Sequence, residues 1–231
     1  MSFKEHYNRG VDLWQDGKYV QAIQSFKEAQ KLQPNDIELK QMISQMEMQA
    51  AQILENEKRF KESCAREAES RREVMGQMYG VTDEQRVVSE YPQKLSNNPN
   101  DKNLKGCLSV AHYILGLTFE SKDDHDRAEK DYGWAIHYEP DFPLAVKNRG
   151  RVRLKIRQYN GAIEDFEFLL KLDPNSDNAK NAVASAYFER AIDHDKKGNS
   201  KHAIDDLEMV LKYNPNNNNA RELLKMIRDK K

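Results

Sequence analysis

Cysteines, an excess of one charge and long hydrophobic runs are all missing from this sequence, and each absence excludes a class of protein. Only two of the 231 residues are cysteines, and they lack CxxC spacing, so neither a disulfide framework nor a zinc site is expected. The net charge of −1 argues against a general nucleic-acid or membrane-surface binder. No run approaches a membrane span and the first residues lack a signal-peptide core, so a cytoplasmic protein is expected.

Catalytic motifs are absent as well. The sequence contains no phosphate-binding, dinucleotide-binding, nucleophile-elbow or zinc-protease motif. Its six histidines are scattered, and the acidic stretch Asp123, Asp124, His125 and Asp126 lacks the spacing of a calcium loop. We therefore predict a protein that is not an enzyme and that uses no cofactor and no metal ion.

Small and aromatic residues recur at fixed distances before four of the seven prolines. Counting positions back from Pro174, Gly150 has offset 24, Tyr159 offset 15, Ala162 offset 12 and Phe166 offset 8. The same offsets before the other three prolines hold Gly10, Tyr19, Ala22 and Phe26 (Pro34), Gly116, Ala128 and Tyr132 (Pro140), and Ala191, Ala203 and Leu207 (Pro215). Agreement among four registers indicates an internal repeat.

These marks resemble the tetratricopeptide repeat, a unit of about 34 residues that folds as two helices. Small residues let the two helices approach closely, and the proline ends the second helix. One pair cannot bury its apolar face alone, so successive pairs stack and share a core. The resemblance implies an all-α fold, a tetratricopeptide-repeat helical solenoid of antiparallel helix pairs.

The spacing of the prolines sets the expected boundaries. Four repeats are predicted, at 3–36, 109–142, 143–176 and 177–217. Pro140 and Pro215 each stand further from the preceding proline than one repeat requires, and we attribute the added positions to lengthened first helices. A degenerate helix pair and the start of a lengthened helix are expected at 81–108. A capping helix with one apolar face is expected at 218–231.

Between the first repeat and the degenerate pair, residues 37–80 contain no proline and have glycines only near their end, which predicts one long connecting helix. A heptad-like apolar stripe marks its first half: Leu39, Ile43, Met46, Ala50 and Ile53. Residues 55–73 are rich in glutamates four positions before a base, and each such pair stabilises a helix by ~0.2–0.5 kcal/mol. We expect the first turns to cap the first repeat and the rest, with Cys64, to be a solvated arm; the alternative is a coiled-coil arm that forms a homodimer.

In tetratricopeptide repeat arrays the first helices line a concave groove that binds peptide or protein segments, so the resemblance implies a non-enzymatic adaptor or scaffold. It places groove residues at offsets 27 and 23 before each proline, and at one further position whose asparagine often bonds ligand backbone. In the last three repeats the candidates are Tyr113, Leu117, Lys147, Asn148, Arg151, Phe188 and Ile192.

The candidate groove is apolar on both sides of a basic centre, Lys147 and Arg151, which predicts a partner segment with an acid and apolar side chains. Only Asn148 matches the polar set with which some members hold the C-terminal carboxylate of heat-shock proteins, so such a tail is not the expected ligand. Two alternatives stay open. The apolar candidates could pack against neighbouring helices, and the chain could be a structural protein that self-associates through helix 37–80.

Overall fold

The computed structural model describes residues 1–229 and contains eleven helices and no strand within them, which confirms the all-α repeat fold. The helices are α1 Phe3–Gln15, α2 Tyr19–Leu32, α3 Ile37–Tyr79, α4 Glu84–Asn97, α5 Lys102–Ser121, α6 His125–Tyr138, α7 Pro143–Lys155, α8 Tyr159–Leu172, α9 Asp177–Lys196, α10 Ser200–Tyr213 and α11 Asn218–Asp229. The last two residues of the expected capping segment, 230–231, lie outside the described residues.

A glycine of the first helix and a ring of the second meet in three of the helix pairs. A Cβ added to any of these glycines would lie 2.5–2.8 Å from the ring, so a larger residue would push the helices apart. The contacts are Gly10 with Phe26, Gly116 with Tyr132, and Gly150 with Phe166. The offsets 24 and 8 found in the sequence therefore mark one packing contact within a pair.

The turn between the two helices of a pair also repeats. The residue at offset 17 before the proline has a left-handed backbone in all four repeats: φ is 74° at Gly17, 75° at Gly198, and 60° at both Asp123 and Arg157. Only glycine adopts this conformation without a steric cost, which for other residues is about 1–2 kcal/mol. The turn therefore keeps its geometry even where the sequence does not supply glycine.

The chain divides into two compact units. The first unit, Met1–Glu62, holds α1, α2 and the beginning of α3. Ser2 caps α1 reciprocally with Glu5, because the Ser2 hydroxyl accepts from the Glu5 amide and the Glu5 carboxylate accepts from the Ser2 amide. The core of this unit comprises Ala22, Phe26, Ala29, Leu39 and Ile43. The first turns of α3 therefore cover the apolar face of the first pair.

The second unit begins at Ser63 and contains the end of α3 and helices α4 to α11. From α4 onward each helix packs against the next one along the chain, as expected for stacked pairs. The first helices α5 and α9 have 20 residues each, whereas α7 has 13. At the end of the stack, α11 buries Ala220, Leu224 and Ile227.

The expectation that Cys64 is exposed on a solvated arm was wrong, although residues 54–59 just before it are exposed. Cys64, Ala68 and Met75 are 3%, 2% and 0% exposed. Their spacings of four and seven residues place them on one face of the helix. Half of the six charged residues between Cys64 and Met75 are exposed, and the number of charges concealed this narrow apolar stripe in the sequence.

Candidate functional site

The predicted groove residues lie on the first helices α5, α7 and α9, and their exposure differs along the stack. Those on α5 have no exposed surface, and the α7 asparagine is nearly as buried. From most buried to most exposed, the candidates are Tyr113, Leu117 and Asn148 (buried), Arg151, Phe188 and Ile192 (half-buried), and Lys147 (exposed). We call the surface formed by these positions of the first helices the inner face of the second unit. It is thus covered at α5 and more exposed at α7 and α9.

A polar contact with the end of α3 closes the face of α5. The Tyr113 hydroxyl donates to the Glu67 carboxylate at 2.7 Å and accepts from the Asn148 amide at 3.2 Å. The Arg71 guanidinium lies 5.7 Å from the centre of the Tyr113 ring. Burial, and then the Glu67 carboxylate, raises the pKa of Tyr113 far above its usual range. Asn148, expected to bond a ligand, bonds this tyrosine.

The end of α3 does not take the place of a repeat's first helix. Tyr79 contacts Gly106 near the start of α5, whereas Glu67, about three turns earlier on α3, bonds Tyr113 further along α5. The two helices therefore run antiparallel. First helices of successive pairs run parallel to one another, because each is antiparallel to the helix between them. The segment 63–79 is thus an additional helix laid on the α5 face.

A buried carboxylate engages the arginine of the predicted basic centre. Glu120 has no exposed surface, and it accepts a hydrogen bond from the Tyr132 hydroxyl at 2.8 Å. The Arg151 guanidinium pairs with the same carboxylate at 3.1 Å. Burial and the adjacent Glu120 raise the pKa of Tyr132 far above its usual range. Arg151, expected to meet an acid of a ligand, therefore meets an acid of its own chain.

An open groove of about 680 Å³ lies between α7, the end of α8 and the start of α9. Two of its leucines are exposed, Leu144 by 38% and Leu172 by 49%. Lys147 also lines the groove, is exposed, and forms no ion pair in the part of the chain that the structure describes. Asp173 is a second charged residue of the lining. The remaining lining residues are Pro143, Phe166, Leu169, Ser176, Asn178, Ala179 and Ala182.

Sequence reasoning placed only Lys147 in this groove. Phe188, predicted beside it, packs instead against the terminal core of α9, α10 and α11. Leu144 and Leu172 were missed, although a signal for Leu172 was present. The second position before the repeat proline holds Leu32, Tyr138, Leu172 or Tyr213, so it is apolar or aromatic in every repeat.

A second repeated contact, also missed, ties the two helices of each later pair together. The residue at offset 9 before the proline is an aspartate that bonds a base on the first helix. These ties are His112 with Asp131 at 2.7 Å, Arg149 with Asp165 at 2.6 Å, and Arg190 with Asp206 at 2.6 Å. Asp165 and Asp206 are buried, so each carboxylate needs a paired base, and Asp165 has a second one in Arg153 at 3.1 Å. We assign these pairs to stability.

Within residues 1–229, no three histidine, cysteine, aspartate or glutamate side chains are arranged to hold a metal ion. None of the helices described over the same residues has both the length and the apolar character needed to cross a bilayer.

The stacked antiparallel pairs with an inward-facing surface define a helical-repeat protein. Family models described as tetratricopeptide repeat match residues 3–36 and 113–177. Together the two matches overlap three of the four predicted repeats, those in which a small residue, a ring and proline recur at fixed offsets. The chain therefore contains tetratricopeptide repeats.

Two curated proteins resemble parts of the chain. RNA polymerase II-associated protein 3 of Xenopus laevis is 41% identical over 56 residues, which cover 24% of this chain and 8% of that protein. Hsp70-Hsp90 organizing protein of Triticum aestivum is 24% identical over 132 residues, which cover 57% of this chain and 21% of that protein. Among solved structures, a thermophilic tetratricopeptide repeat protein of Thermus thermophilus is 15% identical, with 98% of each chain covered and a TM-score of 0.29.

Proposed function

We propose that this chain is a non-enzymatic adaptor that binds a segment of another protein in the open groove of α7, α8 and α9. The observation that carries the proposal is the pair of exposed leucines, Leu144 and Leu172, in a groove of about 680 Å³. Exposed leucines that line a concave surface are typical of a site that a partner covers in a complex. The names of the two curated relatives also refer to association with other proteins.

The lining suggests the chemistry of the segment. Apolar side chains of the partner would cover Leu144 and Leu172, and an acidic side chain would pair with Lys147. Asp173 in the same lining disfavours a second acid beside it. We therefore propose a segment with one acid, oriented towards Lys147, and apolar residues on either side. A heat-shock tail remains a poor candidate, because Asn148, the one matching residue, bonds Tyr113.

The test begins with partners captured from the native cell and continues with titrations of the full-length chain. Leu172→Asp should weaken binding about tenfold, because covering the exposed half of this leucine contributes about 1 kcal/mol and the new carboxylate would also have to lose water. Lys147→Glu should weaken binding of a segment that contains the acid and should have little effect once that acid is replaced by glutamine. Leu32→Asp is the matched control, since Leu32 has the same repeat offset and a similar exposure of 53%. Normal binding by both groove variants would reject this site.

Self-assembly through helix 37–80 is the alternative function, and the geometry supports it less. Leu39 and Ile43 of the predicted stripe belong to the core of the first unit, and Cys64 is buried in the second. A coiled coil would need such residues on its surface. Sedimentation of the full chain at several concentrations is the direct measurement. A cytoplasmic location remains a prediction from the sequence.

A further inference from the structure

We propose that the inner face of α5 and α7 is a second binding surface, distinct from the open groove, and that segment 63–79 of α3 is its built-in occupant. The external ligand we infer is an amphipathic helix of a partner protein that presents a carboxylate beside small apolar residues. The segment itself defines this chemistry, because it shows what the surface accepts. Binding of the partner helix would require the segment to leave.

The surface has the features of a recognition site. Tyr113 and Leu117 occupy the repeat positions that predict groove residues, and both are covered. The Tyr113 hydroxyl accepts a hydrogen bond from Asn148 of the next pair. Its own proton is therefore directed towards the Glu67 carboxylate, to which it donates. A buried hydroxyl oriented in this way selects for an acceptor, since an apolar residue there would leave it unpaired.

The occupant is held by few large apolar contacts. Its buried residues are Cys64, Ala68 and Met75, of which only Met75 is large. Its polar contacts are Glu67 to Tyr113 at 2.7 Å, Arg72 to Glu84 at 2.7 Å and Arg72 to Thr118 at 3.4 Å. The Arg71 guanidinium over the Tyr113 ring and the contact of Tyr79 with Gly106 complete its attachment. A helix held mainly by polar contacts is easier to exchange than one held by a broad apolar core.

Removal of the segment would leave the stack intact. Helix α4 packs on α5, so it and not α3 continues the stack of pairs. Residues 80–83, which join α3 to α4, are not helical, and Gly80 has a φ of 68°. A short non-helical junction of this kind can act as a hinge, so that α3 moves while α4 stays packed.

Cys64 is a native reporter of the exchange. Its thiol is 3% exposed, so a maleimide can label it only when the segment opens. The experiment uses the full-length chain and mass spectrometry to follow labelling of Cys64 under native conditions. The competitor is a synthetic peptide with the sequence of 63–79 in which Cys64 is replaced by serine. We expect the peptide to accelerate labelling of Cys64 several-fold, with a saturable dependence on its concentration.

Glu67→Ala removes the central polar contact and should raise the labelling rate of Cys64 about tenfold, the change that corresponds to about 1.4 kcal/mol. The same variant should bind the fluorescently labelled peptide about tenfold more tightly than the wild-type chain, because more of it is open. Glu73→Ala is the matched control on the same helix, since Glu73 is exposed. Glu67→Gln keeps an acceptor for Tyr113 and should give intermediate values if Glu67→Ala folds poorly.

Three results would overturn the proposal. Equal labelling of Cys64 in Glu67→Ala and Glu73→Ala would show that Glu67 does not hold the segment in place. Peptide binding that leaves Cys64 labelling unchanged would place the peptide elsewhere on the chain. A stable dimer of Glu67→Ala, detected by sedimentation and dissolved by the peptide, would make a second copy of this chain the occupant in place of a partner protein.

Discussion

The face of α5 and the groove between α7 and α9 use the same repeat positions with opposite results. At offset 27 before the proline, Tyr113 has no exposed surface, whereas Lys147 is exposed. At offset 23, Leu117 is completely buried and Ile192 is only half-buried. The repeat offset therefore determines the direction of a side chain within the stack. The offset does not determine whether that side chain is available, since the Tyr113 hydroxyl is covered by a bond to Glu67 of the distant helix α3.

This difference has an energetic counterpart. A covered position contributes to folding, so its loss should lower the free energy of unfolding. An open position contributes little to folding and keeps its apolar surface for a partner. Pairs of substitutions at equivalent offsets separate these two roles, because chemistry and repeat position are held similar while coverage changes.

The largest difference is expected between Leu117→Ala and Ile192→Ala. Leu117 is fully buried, so its truncation removes apolar contacts and leaves a cavity, which costs about 2–5 kcal/mol. Ile192 is half-buried, and we expect a cost of about 1 kcal/mol or less. Urea unfolding followed by circular dichroism gives both values. Similar losses in the two variants would mean that coverage by α3 does not distinguish these positions.

A smaller difference is expected between two tyrosines that both donate to a glutamate. Tyr113→Phe removes a hydroxyl shared by Glu67 and Asn148 and leaves the amide of the buried Asn148 without this partner, at a cost of about 1–3 kcal/mol. Tyr187 donates to Glu167 at 3.2 Å in a half-buried site. Because water can replace that contact, Tyr187→Phe should cost less than about 1 kcal/mol. The comparison fails if thermal melting shifts equally in both variants.

Much of the fold could be predicted because the repeat is a local pattern. Gly150 and Phe166 are close in sequence and meet within one helix pair, so their spacing is readable without knowledge of the rest of the chain. The same holds for the long helix, since the absence of proline is visible directly. The apolar face of α11 follows from the period of the α-helix.

The candidate site was harder to predict because it depends on contacts between distant residues. Glu67 and Tyr113 are far apart in sequence, and nothing in the spacing of either indicates that they bond. The buried stripe of Cys64, Ala68 and Met75 is small and is surrounded by charges that favour a solvated helix. The bond between Glu120 and Arg151 likewise depends on the packing of α5 against the following pair.

The smallest predicted effect is a pH dependence that originates from the covered segment. Burial, followed by the charge on Glu120, raises the pKa of the Cys64 thiol to about 11 from an ordinary value of 9.0. Between these values the unfolded chain loses the proton and the folded chain keeps it. Raising the pH through this window therefore favours the unfolded state, and stability conferred by the neutral thiol is progressively lost.

From about pH 8 to about pH 10 this linkage should lower the free energy of unfolding by about 1 kcal/mol through Cys64 alone. Buried tyrosines and Cys107 also lose stability at high pH, so the wild-type curve by itself does not isolate this contribution. Cys64→Ala removes it and leaves the others, so the stability difference between wild type and Cys64→Ala should shrink by about 1 kcal/mol over that range. Denaturant unfolding at several pH values across this range gives the difference directly. Parallel curves would show that the Cys64 thiol ionises as it does in water, and segment 63–79 would then be open for much of the time.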